Sequence, residues 1–178
     1  MEQETRLSGK LKGNRIVIEN FIEAQELYQS GFGEKEEKSL ILNSYESLYL
    51  LSINKVNVIN KKKMLTFEEL MDLLYNKDKD LLTRFLVYRD LRSRGFVVKE
   101  GFGFGVDFRV YDKGEYGKNT AKYIVFVLNE GNEVAFGKIL QDAVDIKRMG
   151  KNSVIAVIDR RGEVIYYQIA EAIFNAKI

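Results

Sequence analysis

Residues Val110–Tyr123, VYDKGEYGKNTAKY, place a tyrosine at the end of an apolar segment, then a polar loop, then a second apolar segment. That layout suits a phenol facing a second catalytic group across a loop. Such a pair is fitted to proton transfer near neutral pH, and the usual partner is histidine, the side chain that titrates closest to neutrality. This chain contains no histidine. It also contains no cysteine, which excludes disulfides, thiolate nucleophiles and cysteine metal sites. A zinc centre is thereby set aside, and only carboxylates remain to hold a hard cation such as magnesium. Within the loop, Glu115, Tyr116 and Lys118 read as surface.

The elements that must position this segment are legible from patterning. The 178 residues are 46% hydrophobic and 30% charged, which is enough apolar matter for a core, and the net charge is +2. That balance permits a nucleic-acid partner without requiring one, because a basic footprint depends on local clustering. No apolar run approaches the roughly 20 residues that span a bilayer, and the opening MEQETRLSGKLKG has no signal-peptide core. A cytoplasmic protein without membrane contact is expected.

Gly13-Asn14 predicts a turn ahead of a strand at Arg15–Ile18, and Glu23–Ser30 a short helix closed by Gly31. Lys35–Ser39 (KEEKS) reads as a charged loop, Ser44–Leu51 as a helix and Lys55–Ile59 as a strand. The run Lys61-Lys62-Lys63 is expected to decorate the loop that follows. Thr66 and Glu69 have capping-box spacing, with Leu65 and Leu70 placed as a hydrophobic staple, so a helix starts there and ends near Asn76. A charged break, NKDKD, precedes an amphipathic helix from Leu81 to Arg94 that Gly95 closes. Strand-rich sequence then runs to the end, interrupted by one helix at about Phe136–Met149. The expected fold class is α/β (mixed α+β): a small N-terminal α/β domain over 1–78 and a C-terminal domain over 79–178, with a mixed sheet flanked by helices.

The most specific stretch is YRDLRSRGFVVKEGFGFGVDFRVY, Tyr88 to Tyr111. It resembles the archaeal tRNA-splicing endonuclease family, whose pattern it matches at Tyr88, Asp90, Leu91, Arg92, Gly95, Phe96, Val98, Lys99, Gly101, Phe104, Gly105, Asp107, Phe108 and Tyr111. The tail from Lys151 to Tyr167 is similar too. The resemblance implies a C-terminal nuclease-like domain and a part in removing introns from precursor tRNA at bulge-helix-bulge sites. It implies cleavage without metal or other cofactor: the ribose 2′-OH attacks the adjacent phosphate, leaving a 2′,3′-cyclic phosphate and a 5′-hydroxyl. The family trio is tyrosine, histidine and lysine. Its logic is general: a group titrating near the working pH moves protons, and a fixed ammonium stabilises the charge of the phosphorane.

By the resemblance, Tyr111 falls on the tyrosine and Lys151 on the lysine. The histidine lies three residues before a strand tyrosine, here Tyr123, so its place is taken by Thr120. An arginine expected seven residues before the lysine, to contact the bulge, is replaced by Val144. Threonine does not titrate in the useful range, and a phenol is only about 0.1% ionised at pH 7. A positioned acid-base group supplies roughly 10²–10⁴ in rate, so the replacement points to lost catalysis. Read without the resemblance, Tyr111 is also a strand-end tyrosine covering a sheet edge, and Lys151 an ordinary turn lysine.

Non-catalytic members of the family scaffold an active subunit in four-unit enzymes. The corresponding assembly loop is Asp159-Arg160-Arg161-Gly162-Glu163, whose acids would enter a basic pocket of a neighbour, although IDRRGEV is also an ordinary polar hairpin turn. The tail VIYYQIAEAIF is apolar for an exposed terminal strand, and self-pairing through it is expected. The leading expectation is a structural subunit in a heterotetramer with a catalytic endonuclease subunit, meeting precursor tRNA through the complex. Two alternatives remain: a catalytic subunit with a substitute for the histidine, and a module that only binds structured RNA.

Overall fold

The computed structural model describes residues 6–103, 105–131 and 136–170. By internal contacts the chain forms two compact units, Met1–Val97 and Val98–Ile178.

The first unit starts with β1 (Leu7–Lys12) and β2 (Arg15–Ile18), joined by the Gly13-Asn14 turn in which Gly13 takes a φ of 65°. Helix α1 (Gln25–Gln29) follows, then β3 (Glu34–Glu36), β4 (Ser39–Leu42), α2 (Ser44–Ser52), β5 (Val56–Asn60), β6 (Lys63–Leu65), α3 (Phe67–Tyr75) and α4 (Leu81–Ser93). The six strands form one sheet in the order β3-β4-β2-β1-β5-β6. Its β1–β5 pair is parallel, and the pairs β1–β2, β2–β4, β3–β4 and β5–β6 are antiparallel. Alternation explains the burial: Ile16, Ile18, Leu40, Leu42, Val56 and Val58 all point inward. The expected cap is present, with Thr66 Oγ1 accepting from the Glu69 amide and the Glu69 carboxylate accepting from the Thr66 amide. Asn76 caps the other end of α3.

Two expected loops turn out to be paired. KEEKS is a hairpin, β3 to β4, in which Glu37 takes a left-handed φ of 50°. All of β3 is exposed at the sheet edge, so no apolar alternation marks it. Lys63 likewise opens strand β6, and only Lys61 and Lys62 form the turn.

The division by composition falls at 78/79, whereas the contacts divide at 97/98. The difference is α4. Its Tyr88 ring lies 4.8 Å from Tyr45 and 5.8 Å from Tyr49 of α2, and Phe85 lies 5.5 Å from Phe67 of α3. Arg92 spreads over the Phe32 ring at 3.7 Å and donates to the carbonyls of Ser30 and Phe96. Burial of this aromatic face holds α4 to the first unit.

The second unit contains β7 (Val97–Gly103), β8 (Val106–Tyr111), β9 (Tyr123–Asn129), α5 (Phe136–Arg148), β10 (Asn152–Ile158) and β11 (Val164–Ile169). Its sheet has the order β11-β10-β9-β8-β7, with β9–β10 parallel and both β8–β9 and β10–β11 antiparallel. It is a mixed sheet, as expected. Central strands β9 and β10 are buried on both faces through Ile124, Val125, Phe126, Val154, Ile155 and Ala156. Helix α5 turns Ile139, Ala143 and Ile146 inward and leaves Leu140 and Val144 exposed.

The glycine-rich motif between β7 and β8 has structural reasons. A Cβ at Gly101 would stand 2.1 Å from the Val106 carbonyl oxygen. Gly105 turns the chain with a φ of 79°. The carboxylate of Asp107 accepts from the Val127 amide at 2.8 Å and so ties β8 to β9. Gly101→Ala is therefore expected to force backbone displacement and cost about 2–3 kcal/mol, measured by the urea midpoint against a Gly137→Ala control, where an added Cβ meets nothing within 4 Å.

Candidate active site and assembly loop

Three strand ends meet where the sequence places its chemistry. The register pairs Val110 with Tyr123 across β8–β9, and Tyr123 with Asn152 across β9–β10. Tyr111, the 120–122 segment and Lys151 therefore lie side by side at one end of three adjacent strands. Backbone bonds extend the pairing beyond the strands. The Lys122 amide donates to Val110 O at 2.9 Å, and the Asn152 amide to Lys122 O at 3.1 Å.

Lys151 is half-buried, and its Nζ donates to Ala121 O at 3.2 Å. An ammonium has three donors, so this contact aims the group while leaving hydrogens for a ligand. Its backbone is held by the Ile146 carbonyl at the end of α5, after Gly150 turns the chain with a φ of 72°. Tyr111 is only 8% exposed. It faces away from its buried neighbours Phe108 and Val110, and Tyr116 from the loop meets it edge to face at 5.1 Å.

The loop between them is built rather than loose. Asp112 O accepts from the Glu115 amide, and Glu115 O accepts from the amides of Lys118 and Asn119. The Glu115 carboxylate takes the Asn119 side-chain amide, and Gly114 and Gly117 supply left-handed turns. At its base, Lys122 Nζ pairs with Asp112 Oδ2 at 2.7 Å, and this hydrogen bond above all raises the lysine pKa. Thr120 sits in this stapled segment, exposed to solvent, one residue from the carbonyl that Lys151 holds.

Two residues that the sequence does not assign to this strand end lie near it. Tyr116, whose polar surroundings predict loop surface, is half-buried against Tyr111. Lys99 of the motif is 7% exposed, with its Nζ 5.7 Å from the Tyr116 ring centre. The motif lysine was the available signal for the second; nothing in a polar loop marked the first. Val144 lies on the outer face of α5, 41% exposed.

The loop Asp159–Glu163 joins β10 to β11 at the opposite end of β10 from Lys151, about 23 Å away for seven strand residues. It is a separate site. Gly162, with a φ of 80°, closes the turn, and Asp159 Oδ1 accepts from the amides of both Arg161 and Glu163. Arg161 reaches back to Asp159 and Glu163, and the Arg160 amide donates to the Glu130 carboxylate. One of the two expected acids, Asp159, is thus spent inside its own loop, while Glu163 keeps an exposed carboxylate shared with Arg161.

The chain is a two-unit α/β protein whose second unit aligns a tyrosine and a lysine at one sheet end. A sequence profile of the family "tRNA intron endonuclease, catalytic C-terminal domain" matches residues 81–166, and that of "tRNA intron endonuclease, N-terminal domain" matches residues 7–71. A tRNA-splicing endonuclease of Methanococcus maripaludis is 35% identical over 164 residues, covering 92% of this chain and 93% of its own. Proteins of the same name from Thermococcus onnurineus and Pyrococcus horikoshii are 35% and 32% identical, with 90% and 89% of this chain and 93% and 92% of theirs covered. The chain belongs to the tRNA intron endonuclease family.

The Asp159 carboxyl is held below the ordinary aspartate range, first by the Glu163 amide, then by the amide and guanidinium of Arg161. A depressed carboxyl pKa stabilises the folded loop fully above the unfolded value of about 3.9, and that contribution is lost as pH falls through the lower folded value. In an NMR acid titration, the Arg161 and Glu163 amide shifts are expected to hold steady down to about pH 4 and to move together below it. Asp159→Ala should abolish the shared transition.

Proposed function

We propose that this chain is a structural subunit of a tRNA-splicing endonuclease, working in the cytoplasm within a heterotetramer whose catalytic subunit brings its own histidine. The observation that supports the reading is Thr120, an exposed alcohol one residue from the carbonyl that Lys151 holds, at the place that the resemblance gives to the family's histidine. Cleavage needs a proton taken from the 2′-OH and one given to the leaving 5′-oxygen, and an alcohol does neither near neutral pH. Lys151 remains oriented to offer positive charge, so contact with the RNA backbone survives the loss of proton transfer.

Two surfaces support assembly. Strand β11 is an edge strand with Ile165 and Tyr167 exposed on one face, a combination that favours strand pairing with a second copy. Of the apolar tail, residues 171–178 lie outside the described residues. The loop 159–163 is rigid enough to enter a neighbouring pocket with little ordering cost, and it would present Glu163 together with Arg160 rather than a plain acidic tip.

Retention of Tyr111 and Lys151 at one strand end favours a second reading, a catalytic subunit with a substitute proton carrier. One experiment separates the two. Purified chain is incubated with an intron-containing precursor tRNA, alone and with a catalytic family member. The scaffold reading expects cutting only in the mixture, and expects Tyr111→Phe and Lys151→Ala in this chain to change the rate of the mixture less than about tenfold. Cleavage by the chain alone, abolished by either substitution, establishes the second reading and removes the first.

A further inference from the structure

The lysines at the end of the first unit's sheet take no part in that function. Strands β1 and β5 are parallel neighbours, with Lys10 opposite Ile59, so the turn after each strand emerges at the same sheet end. One turn is Lys12-Gly13-Asn14-Arg15, the other Asn60-Lys61-Lys62-Lys63. Strand spacing of about 4.8 Å sets the two tips side by side. A third element arrives from the end of α3, where Lys77 Nζ donates to the Gly13 carbonyl at 2.7 Å.

The carboxylates near this end do not cancel the charge. Glu19 lies 3.9 Å from Lys12, Glu36 lies 4.0 Å from Arg15, Glu69 pairs with Lys63, and Asp78 is engaged by Arg84. Lys61 and Lys62 are exposed and have no ion-pair partner among the described residues, and Lys77 spends its hydrogen bond on a neutral carbonyl. What stands clear is a ridge of three uncompensated ammonium groups backed by three compensated cations.

The backbone gives a second and independent sign. Lys61 opens its two-residue turn with a φ of 58°, a left-handed conformation in which glycine or asparagine is at home. The adjacent turn obeys that preference with Gly13. At the β5–β6 tip, that left-handed position is held by an exposed lysine with no ion-pair partner among the described residues.

We propose that this ridge, centred on Lys61, Lys62 and Lys77, binds the phosphodiester backbone of structured RNA, as a contact surface of the first unit separate from the Tyr111–Lys151 end of the second. The choice of RNA rests on the family reading above. Lysine ammonium groups on exposed turns suit sequence-independent phosphate contact, whose mark is counterion release.

The test uses the full chain and two labelled probes, a 20-base-pair RNA duplex and a bulge-helix-bulge RNA, with anisotropy titrations between 50 and 200 mM salt. The double variant Lys61→Gly, Lys62→Gln should weaken binding to both probes about tenfold and lower the slope of log Kd against log salt by about two, one per lost phosphate contact. Its melting temperature should equal or exceed that of the parent, since Lys61→Gly relieves the turn, which separates lost contact from lost fold. Unchanged affinity and slope on both probes overturn the proposal. So does a variant that binds RNA normally but no longer joins its catalytic subunit, which would make the ridge a protein contact. A chain that cuts precursor tRNA alone would overturn the scaffold reading while leaving the predicted salt slope intact, so the two failures are distinguishable.

Discussion

Parallel pairing of β9 with β10 is the constraint on which the site depends. Tyr123 opposite Asn152 fixes where two chain segments, separated by a helix, begin together. Parallel neighbours need a crossover, and α5 provides it, burying Ile139, Ala143 and Ile146 as it returns the chain to the same sheet end. One residue before the pairing starts, Lys151 meets the Ala121 carbonyl. Shifting this register by one residue would turn every side chain of β10 to the other face and carry Lys151 away from the 120–122 segment. The antiparallel β8–β9 pair, locked by Asp107 on the Val127 amide, then brings Tyr111 to the same edge. Geometry for a tyrosine-lysine site is therefore a by-product of the sheet itself. It persists whether or not the third group is an imidazole.

The same dependence on the sheet explains why the family motif is easily recognised. Most of the matched residues serve the fold: Tyr88 fills the space between α2 and α4, Arg92 covers Phe32, and Gly101 clears the Val106 carbonyl. Within that stretch Tyr111 stands at the strand end next to the 120–122 segment, and Lys99 reaches the Tyr116 ring. In the loop 159–163, likewise, Asp159 is committed to its own turn, and Glu163 keeps an exposed carboxylate shared with Arg161.

Much of this was legible from residue order. Capping at Thr66 and Glu69, the apolar strand-rich runs of the second unit and the helix that interrupts them all follow from local rules that the tertiary structure does not override. The failures share a cause. Strand β3 is wholly exposed, so its residues carry no apolar signature, and its pairing is decided by Leu40 and Ile41 across the hairpin. Tyr116 looked like loop surface because the polar residues around it belong to the loop's own hydrogen bonds, while the tyrosine turns back onto Tyr111. The domain boundary is not among them: α4 packs on the first unit through aromatic contacts made over long sequence separations, while the family profiles part between residues 71 and 81, where the composition changes.

The claim that an alcohol replaces a proton carrier is tested most directly by putting the carrier back. A complex is assembled from this chain and a catalytic subunit whose own histidine has been removed, and single-turnover cleavage of a bulge-helix-bulge RNA is followed. With Thr120 in place no 2′,3′-cyclic phosphate product should form above background, whereas Thr120→His should raise the rate by roughly 10²–10⁴. If the Thr120 complex cuts as fast as the histidine variant, proton transfer runs through some other group and the account is wrong.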